Sequence, residues 1–322
     1  MNQTMPRFIS RFARAAALFG LTTAVMSSAA CTAAEVDSGA NSQPGRDATD
    51  GGVPEDASKT SDAPNMNEDD GGTPSDDSGP SKSGYPDETN TGAKGTLTPR
   101  SGDITVNVDG TVIENIDLKG AIRVYANNVT IRNVKITTGG YWPILFDGTG
   151  GVVEDSTIVG TVNSQACVGG SGMTIRRLNC SGAGDGIKLG SSSTMTDSYI
   201  HDLGTSPEAH NDGCELGSEN VTVRHNTILN AQGQTAAVFI GASAPSTNIL
   251  VEDNVLAGGG YTVYGPDPGS SNVRVVNNKF STRYFAKGGS YGPVAYWKTG
   301  SGNEWSGNTW MDGASAGETV SP

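Results

Sequence analysis

The sequence predicts an all-β coil, a solenoid in which each turn stacks on the one before. Three observations carry this. Short runs rich in valine and isoleucine recur along the chain, the connections between them vary in length, and no stretch shows a helical period. Aligned on their last residue, the runs VIENIDL, TIRNVKI, VVEDSTI, TIRRLNC, TMTDSYI, TVRHNTI, LVEDNVL, RVVNNKF and NEWSGNTW end at Leu118, Ile136, Ile158, Cys180, Ile200, Ile228, Leu256, Phe280 and Trp310. Their spacing runs from 18 residues (118 to 136) to 30 (280 to 310), which places insertions in loops on a constant frame.

The elements follow in chain order. In residues 1–31, Arg7, Arg11 and Arg14 precede the apolar run AAALFGLTTAVM and then SSAAC. A basic head, a short apolar core and small residues before a cut site describe an export signal, and the run is short for a membrane span. Cys31 after small residues resembles a bacterial lipoprotein cleavage site, at which that cysteine carries the lipid. Ser28 stands where such sites usually have Leu, so ordinary secretion is the other reading. The expected location is therefore a bacterial cell surface with a lipid anchor in the membrane, or the medium.

Residues 32–92 are Asp, Ser, Gly and Pro with almost no aromatics, a composition that cannot offset its ordering entropy and predicts a disordered tether. This stretch holds fourteen Asp and Glu against three Lys and Arg, so most of the net charge of −13 lies here rather than on a folded face. Nucleic acid is not a fitting partner for such a chain. The folded part is expected over 93–322. It opens with GTLTPRSGDITVNV as a first, imperfect turn.

A second strand precedes most of the aligned runs: AIRVY at 121–125, PILF at 143–146, ACVG at 166–169, GIKLG at 186–190, GCELG at 213–217, AVFIG at 237–241 and TVYG at 262–265. Strand alternation puts Ile187, Cys214 and Val238 in one inward column and Leu189, Leu216 and Ile240 in another, leaving Lys188, Glu215 and Phe239 outward. Two residues before the run ends stand Asn226, Asn254, Asn278 and Asn308, with Ser156 and Ser198 in earlier turns. Stacked amides at a coil corner can bond to neighbouring turns as a ladder. The position just before, Asn133, Asp155, Asp197, His225, Asp253 and Asn277, is polar throughout, which makes His225 a turn residue of the scaffold. Arg132, Glu154 and Arg176 stack with alternating sign and read as a solvated charge ladder. Three cysteines, Cys167, Cys180 and Cys214, fall in the folded part; a disulfide is open to them, an odd thiol remains, and their pairing is not fixed by spacing.

Over roughly Gly95 to Gly313 these repeats resemble the right-handed parallel β-helix proteins, the superfamily that includes pectate-lyase-like folds. The resemblance implies a single-stranded right-handed parallel β-helix, here of about nine turns.

Chemistry concentrates in one place. After Ile200 the insertion HDLGTSPEAHNDG re-enters the coil at Gly213, and one turn earlier the matching entry is SGAGDG. With turns about 4.8 Å apart, Asp185 is expected over Asp212 and Lys188 beside Glu215, with His201, Asp202 and His210 arriving from the loop. A stabilising cross-strand ion pair for Lys188–Glu215, and turn chemistry for the two Asp-Gly pairs with glycine at positive φ, are the structural alternatives.

The resemblance implies a polysaccharide as partner and three competing uses of the cluster, with a lyase acting on an acidic polymer expected ahead of a hydrolase. A lyase cleaving a uronic-acid polymer by β-elimination needs a cation, a base for the C5 proton and an acid for the leaving oxygen. Lys188 and His210 are then the proton-transfer groups. Asp185, Asp212 and Glu215 would hold Ca²⁺ or orient the substrate, with His201 and Asp202 as further candidates. A hydrolase similar to polygalacturonases would use stacked aspartates, but Gly186 stands at the second aspartate of their motif, and their Asn-Thr-Asp, Gly-His-Gly and Arg-Ile-Lys motifs are missing. A glycan-binding or adhesin-like rod without catalysis is the third. Tyr141 and Trp142 are candidate sugar-contacting rings. Tyr261, Tyr264, Tyr284, Tyr291, Tyr296 and Trp297 crowd the C-terminal turns, and with Trp305 and Trp310 are expected to close the open end of the coil.

Overall fold

A computed structural model describes residues 84–205, 210–241 and 244–322. The expected export signal over 1–31, the lipidation site Cys31 and the acidic segment as far as residue 83 lie outside the described residues. Among the described residues no helix is long and apolar enough to cross a membrane.

The chain passes in turn through three parallel sheets of ten, nine and nine strands, each strand pairing with the one that follows it a coil later. The first sheet runs from Thr98–Ser101 to Thr309–Trp310, the second from Ile104–Val106 to Gly292–Ala295, and the third from Val112–Glu114 to Glu304–Ser306. Strands of two to six residues suffice because each closes its hydrogen bonds on the coils above and below. This is the expected parallel β-helix.

Register explains why the sequence tolerates uneven loops. In the first sheet Leu118, Ile136, Ile158, Cys180, Ile200, Ile228, Leu256 and Phe280 stack directly on one another. All are fully buried. Facing them from the second sheet are Ile122, Ile144, Val168, Ile187, Cys214, Val238 and Val263. Burying each such side chain is worth about 1.5–3 kcal/mol, and a one-residue slip would turn a whole column outward.

The corner between the third and first sheets carries the amide ladder. Nδ2 of Asn226 donates to Oδ1 of Asn254, Asn254 to Asn278 and Asn278 to Asn308, at 3.0, 2.9 and 3.0 Å. Each Oδ1 also accepts the backbone N–H one coil earlier, at 2.9–3.0 Å. The residue before each rung is left-handed: Asn133, Asp155, Asp197, His225, Asp253 and Asn277 have φ between 47° and 59°. Short polar side chains take that conformation at low cost. Two larger residues in this column are tied down. Arg177 grips Asp155 with both Nε and Nη2 at 2.7 Å, and His225 Nδ1 sits 2.7 Å from Asp197.

The described fold begins earlier than residue 93. Residues from Gly84 lie along this corner in the direction opposite to the coil. The Tyr85 hydroxyl donates to Asp253 at 2.8 Å and its ring stacks on His225. Further on, the N–H groups of Gly92, Ala93 and Lys94 donate to Arg177 O, Thr157 Oγ1 and Asn133 Oδ1. Composition pointed to disorder here; the single tyrosine and the unpaired acceptors along the corner override it.

The far end is closed by Trp297, Trp305 and Trp310, packed on the core against Phe280, and Trp305 Nε1 donates to Val320 O at 2.7 Å. The cysteines resolve as a Cys167–Cys180 disulfide and a free, buried Cys214. Cys167 stands at the position that Gly186 occupies a coil later, and Cys180 at that of Ile200. A Cβ at Gly186 would meet the Ile200 side chain at 2.4 Å. The same gap is thus filled by a disulfide in one coil and by isoleucine against glycine in the next.

Candidate functional site

The second sheet presents an outward column that reads Arg123, Leu145, Gly169, Lys188, Glu215, Phe239 and Tyr264. Over its middle lies a cleft of about 560 Å³ lined by Tyr141, Val162, Gln165, Asp185, Lys188, His210, Asp212, Glu215, Thr235 and Phe239, among others. The sequence expectation that Asp185, Lys188, His210, Asp212 and Glu215 meet is met by this geometry.

Lys188 Nζ bridges two carboxylates: Asp185 Oδ2 at 2.9 Å, and Glu215 Oε2, which it contacts directly. Burial pulls the Lys188 ammonium down, but Asp185 and Glu215 outweigh it and hold the group above the ordinary lysine range. Lys188 is therefore a fixed cation rather than the proton acceptor that β-elimination asked of it. Asp185 is fully engaged. Its Oδ1 accepts the N–H of Asp212 at 2.9 Å, and its Oδ2 accepts Gln165 Nε2 at 3.3 Å in addition to Lys188.

Asp212 has the opposite environment. It is 3% exposed, and its Oδ1 has no hydrogen-bond partner. Burial, with the charges of Asp185 and Glu215, drives its carboxyl well above the usual carboxylate range, against the weaker pull of Lys188 and the Ala236 N–H. Its carboxyl therefore keeps its proton to higher pH than an exposed aspartate does, at the floor of the cleft. Glu215 keeps 26% of its side chain exposed, against 7% for Asp185, and is the carboxylate of the cluster most open to solvent.

The Asp-Gly pairs differ from the expected turn chemistry. Neither Gly186 nor Gly213 has positive φ. A Cβ at Gly213 would lie 2.5 Å from Ala237 O and 2.5 Å from the Ile228 side chain, so glycine is needed for close stacking of coils. Asn211 sets the neighbouring residues. Fully buried with φ 39°, it donates through Nδ2 to Gly184 O and Gly204 O at 2.7 and 2.6 Å, and its own carbonyl accepts Asn230 Nδ2. That pin leaves His210 exposed on the rim and Asp212 at the floor.

His201 and Asp202 are not brought to the cleft. The His201 N–H still pairs with Cys180 O, which continues the first-sheet register and fixes the ring on that wall. There it stacks on Tyr199, with centroids 4.1 Å apart, and bonds to Asp202 and Asn179. Tyr141 reaches the rim, where its hydroxyl contacts Gln165, while Trp142 lies flat over Gly169 beside the cleft.

Calcium does not suit this donor set. The Lys188 ammonium fills the space between Asp185 and Glu215, and Asp212 favours its neutral form, so hard anionic oxygens do not converge. Among the described residues no three His, Cys, Asp or Glu are arranged to hold a metal ion. Residues the sequence reading passed over are Gln165, Asn211, Asn230 and Thr235. Only Asn211 carried a signal, lying inside the longest insertion of the middle turns.

A coil of stacked parallel strands with a polar cleft on one sheet defines the class of β-helical solenoids. Residues 142–310 match the family model described as right handed beta helix region, and the chain belongs to that family. No curated protein and no solved structure matches it. Membership supports a carbohydrate-active or surface β-helix protein and goes no further.

Proposed function

We propose that this is a cell-surface or secreted carbohydrate-active enzyme that cleaves a polysaccharide in the second-sheet cleft, with Asp212 as proton donor. The observation that carries this is the divergence of two neighbouring carboxyls. Asp212 is buried with one oxygen unpartnered and its carboxyl is pushed above the usual carboxylate range, while Glu215 is half-buried and paired to a cation. Environments that separate acid from base in this way are what glycosidic cleavage requires. Asp212 would protonate the departing glycosidic oxygen. Glu215 would take the proton of the attacking water, and Lys188, held by Asp185, would fix its position.

Charge decides between hydrolysis and elimination. Two carboxylates and one ammonium leave the cleft with a net negative charge, and Lys188 is the only Lys or Arg among its described lining residues. A uronate substrate needs its carboxylate neutralised before C5 becomes acidic, and the Lys188 ammonium is already shared between Asp185 and Glu215. Hydrolysis is therefore favoured over the uronate lyase. Elimination keeps one supporting observation, that His210 lies on the same rim as Lys188. The disulfide fits export to an oxidising compartment, as the expected export signal and lipid anchor at Cys31 require.

The test is the purified full chain against a panel of neutral and uronic polymers. New saturated reducing ends, lost in Asp212→Asn, support hydrolysis. Unsaturated ends lost in His210→Ala would support elimination instead, and retention without cleavage would leave a binding rod. A chelator is expected to change neither rate nor melting temperature.

A further inference from the structure

The C-terminal tyrosines were expected to plug the coil, yet they stand elsewhere. The plug is made by Trp297, Trp305 and Trp310, whereas Tyr261, Tyr264, Tyr291 and Tyr296 do not belong to the core. Tyr261 and Tyr264 flank one strand of the second sheet and are both half-buried, with Thr262 and Val263 buried between them. Tyr264 is in register with Phe239, which is in register with Glu215.

The rings form an unbroken chain. Centroids of Phe239 and Tyr264 are 5.4 Å apart, Tyr264 and Tyr261 5.5 Å, Tyr261 and Tyr291 5.8 Å, and Tyr264 and Tyr296 5.9 Å. Adjacent rings meet edge-on or tilted, with interplanar angles of 70°, 84°, 41° and 45°, so their faces are not stacked on each other. Tyr291 and Tyr296 are 68% and 72% exposed. Large rings left open in a contiguous group mark a surface that binds something. Phe239 begins the group inside the cleft itself.

We propose that these rings are a binding track for a neutral polysaccharide, running from the cleft along the coil axis toward the C-terminal end. This rests on the cleft reading for the class of ligand, but not for whether the ligand is cut. Successive coils about 4.8 Å apart set Phe239 and Tyr264 at a spacing comparable to one pyranose ring. Sugars present flat C–H faces that such rings cover, and the tyrosine hydroxyls remain for the sugar hydroxyls. Charge selects the neutral class. The groups acting on the Tyr264 hydroxyl, beyond its burial, are Tyr296, Tyr261, Asp212 and Tyr291, none of them a cation. Lys287 lines a pocket with Tyr291 at the far end of the track, but a polyuronate would have to approach a negative cleft at the other.

The test uses the full chain carrying Asp212→Asn, so that nothing is cut, on amorphous cellulose, xylan and polygalacturonate. Retention is expected on at least one of the two neutral polymers and not on polygalacturonate. The double variant Tyr291→Ala/Tyr296→Ala should weaken retention about tenfold, since each ring contributes about 0.5–1.5 kcal/mol. Tyr264→Phe should retain most of it, and Tyr264→Ala should not. Both altered tyrosines of the double variant are exposed, and an unchanged melting temperature confirms the fold. Equal retention of the double variant, no retention on either neutral polymer, or retention on polygalacturonate alone overturns the track. Tyrosine-dependent retention sustains the track even where the wild-type chain, with Asp212 in place, cleaves no polymer and so removes the proposed enzyme. Cleavage indifferent to the tyrosines does the reverse.

Discussion

Two walls of the coil carry the same ingredients and put them to different use. On the third sheet Glu114, Arg132, Glu154 and Arg176 stack in register, joined at 2.6 and 2.5 Å between Arg132 and Glu114 and between Arg176 and Glu154. On the second sheet Lys188 joins Asp185 and Glu215 in the same manner. Glu154 apart, the ladder stands in solvent, and each charge has its partner, so water screens most of whatever is left over. Beneath the second-sheet pair lies an acid with one oxygen unpartnered, Asp212, with coils on either side and a cleft above. Stacked opposite charges therefore do not mark a site. A site forms where the pairing is incomplete and the remaining group is shielded.

The comparison can be broken most sharply at Asp212. Asp212→Asn is expected to lower cleavage by about 10²- to 10⁴-fold, the usual contribution of a positioned acid, while the melting temperature holds or rises. Loss of both fold and activity would make Asp212 structural, as ladder residues are.

Next in size is Lys188→Ala, which strands two carboxylates beside the buried acid. A loss of about 3 kcal/mol is expected in chemical unfolding, the low end for a broken buried pair because a quarter of the side chain is exposed. Arg132→Ala on the third sheet should leave the unfolding midpoint where it was.

Gly186→Ala tests the spacing instead of the charge. Its Cβ would lie 2.2 Å from Gly213 O, so a loss of about 1–3 kcal/mol is expected, with activity falling further because Asp185 and Asp212 separate.

The smallest effect is in pH. Asp212 binds its proton more tightly folded than unfolded. Its contribution to stability is thus complete below the unfolded aspartate value and is lost as pH rises through the folded one. The melting temperature should fall over that window in the wild type and stay flat in Asp212→Asn. Lys188 is raised as well, so its contribution is complete at neutral pH and is lost only in strong alkali.

Much of this was legible in the sequence, for a physical reason. Parallel stacking transfers register from coil to coil. Once Ile187, Cys214 and Val238 were aligned as inward residues, Lys188 and Glu215 had to be neighbours. The amide ladder was legible because Asn226, Asn254, Asn278 and Asn308 keep one offset from the strand end. His201 and Asp202 were misplaced because spacing does not reveal where a loop leaves its sheet. His201 stays in register for one residue more and so remains on the first wall. The calcium expectation counted acidic residues without asking where the Lys188 ammonium would go. The tyrosines were hidden by a break in alternation, with Tyr261 and Tyr264 three apart and neither buried.

The segment from Gly84 to Lys94 has a mechanical meaning. It touches the coils of Asp253, His225, Arg177, Thr157 and Asn133 before the first strand begins. A pull arriving through the chain ahead of Gly84 would load the Tyr85 clasp and those lateral bonds in shear, and would reach the weak opening turn last. The solenoid is held as by a strap along its flank, protected from being peeled open at its thinnest edge.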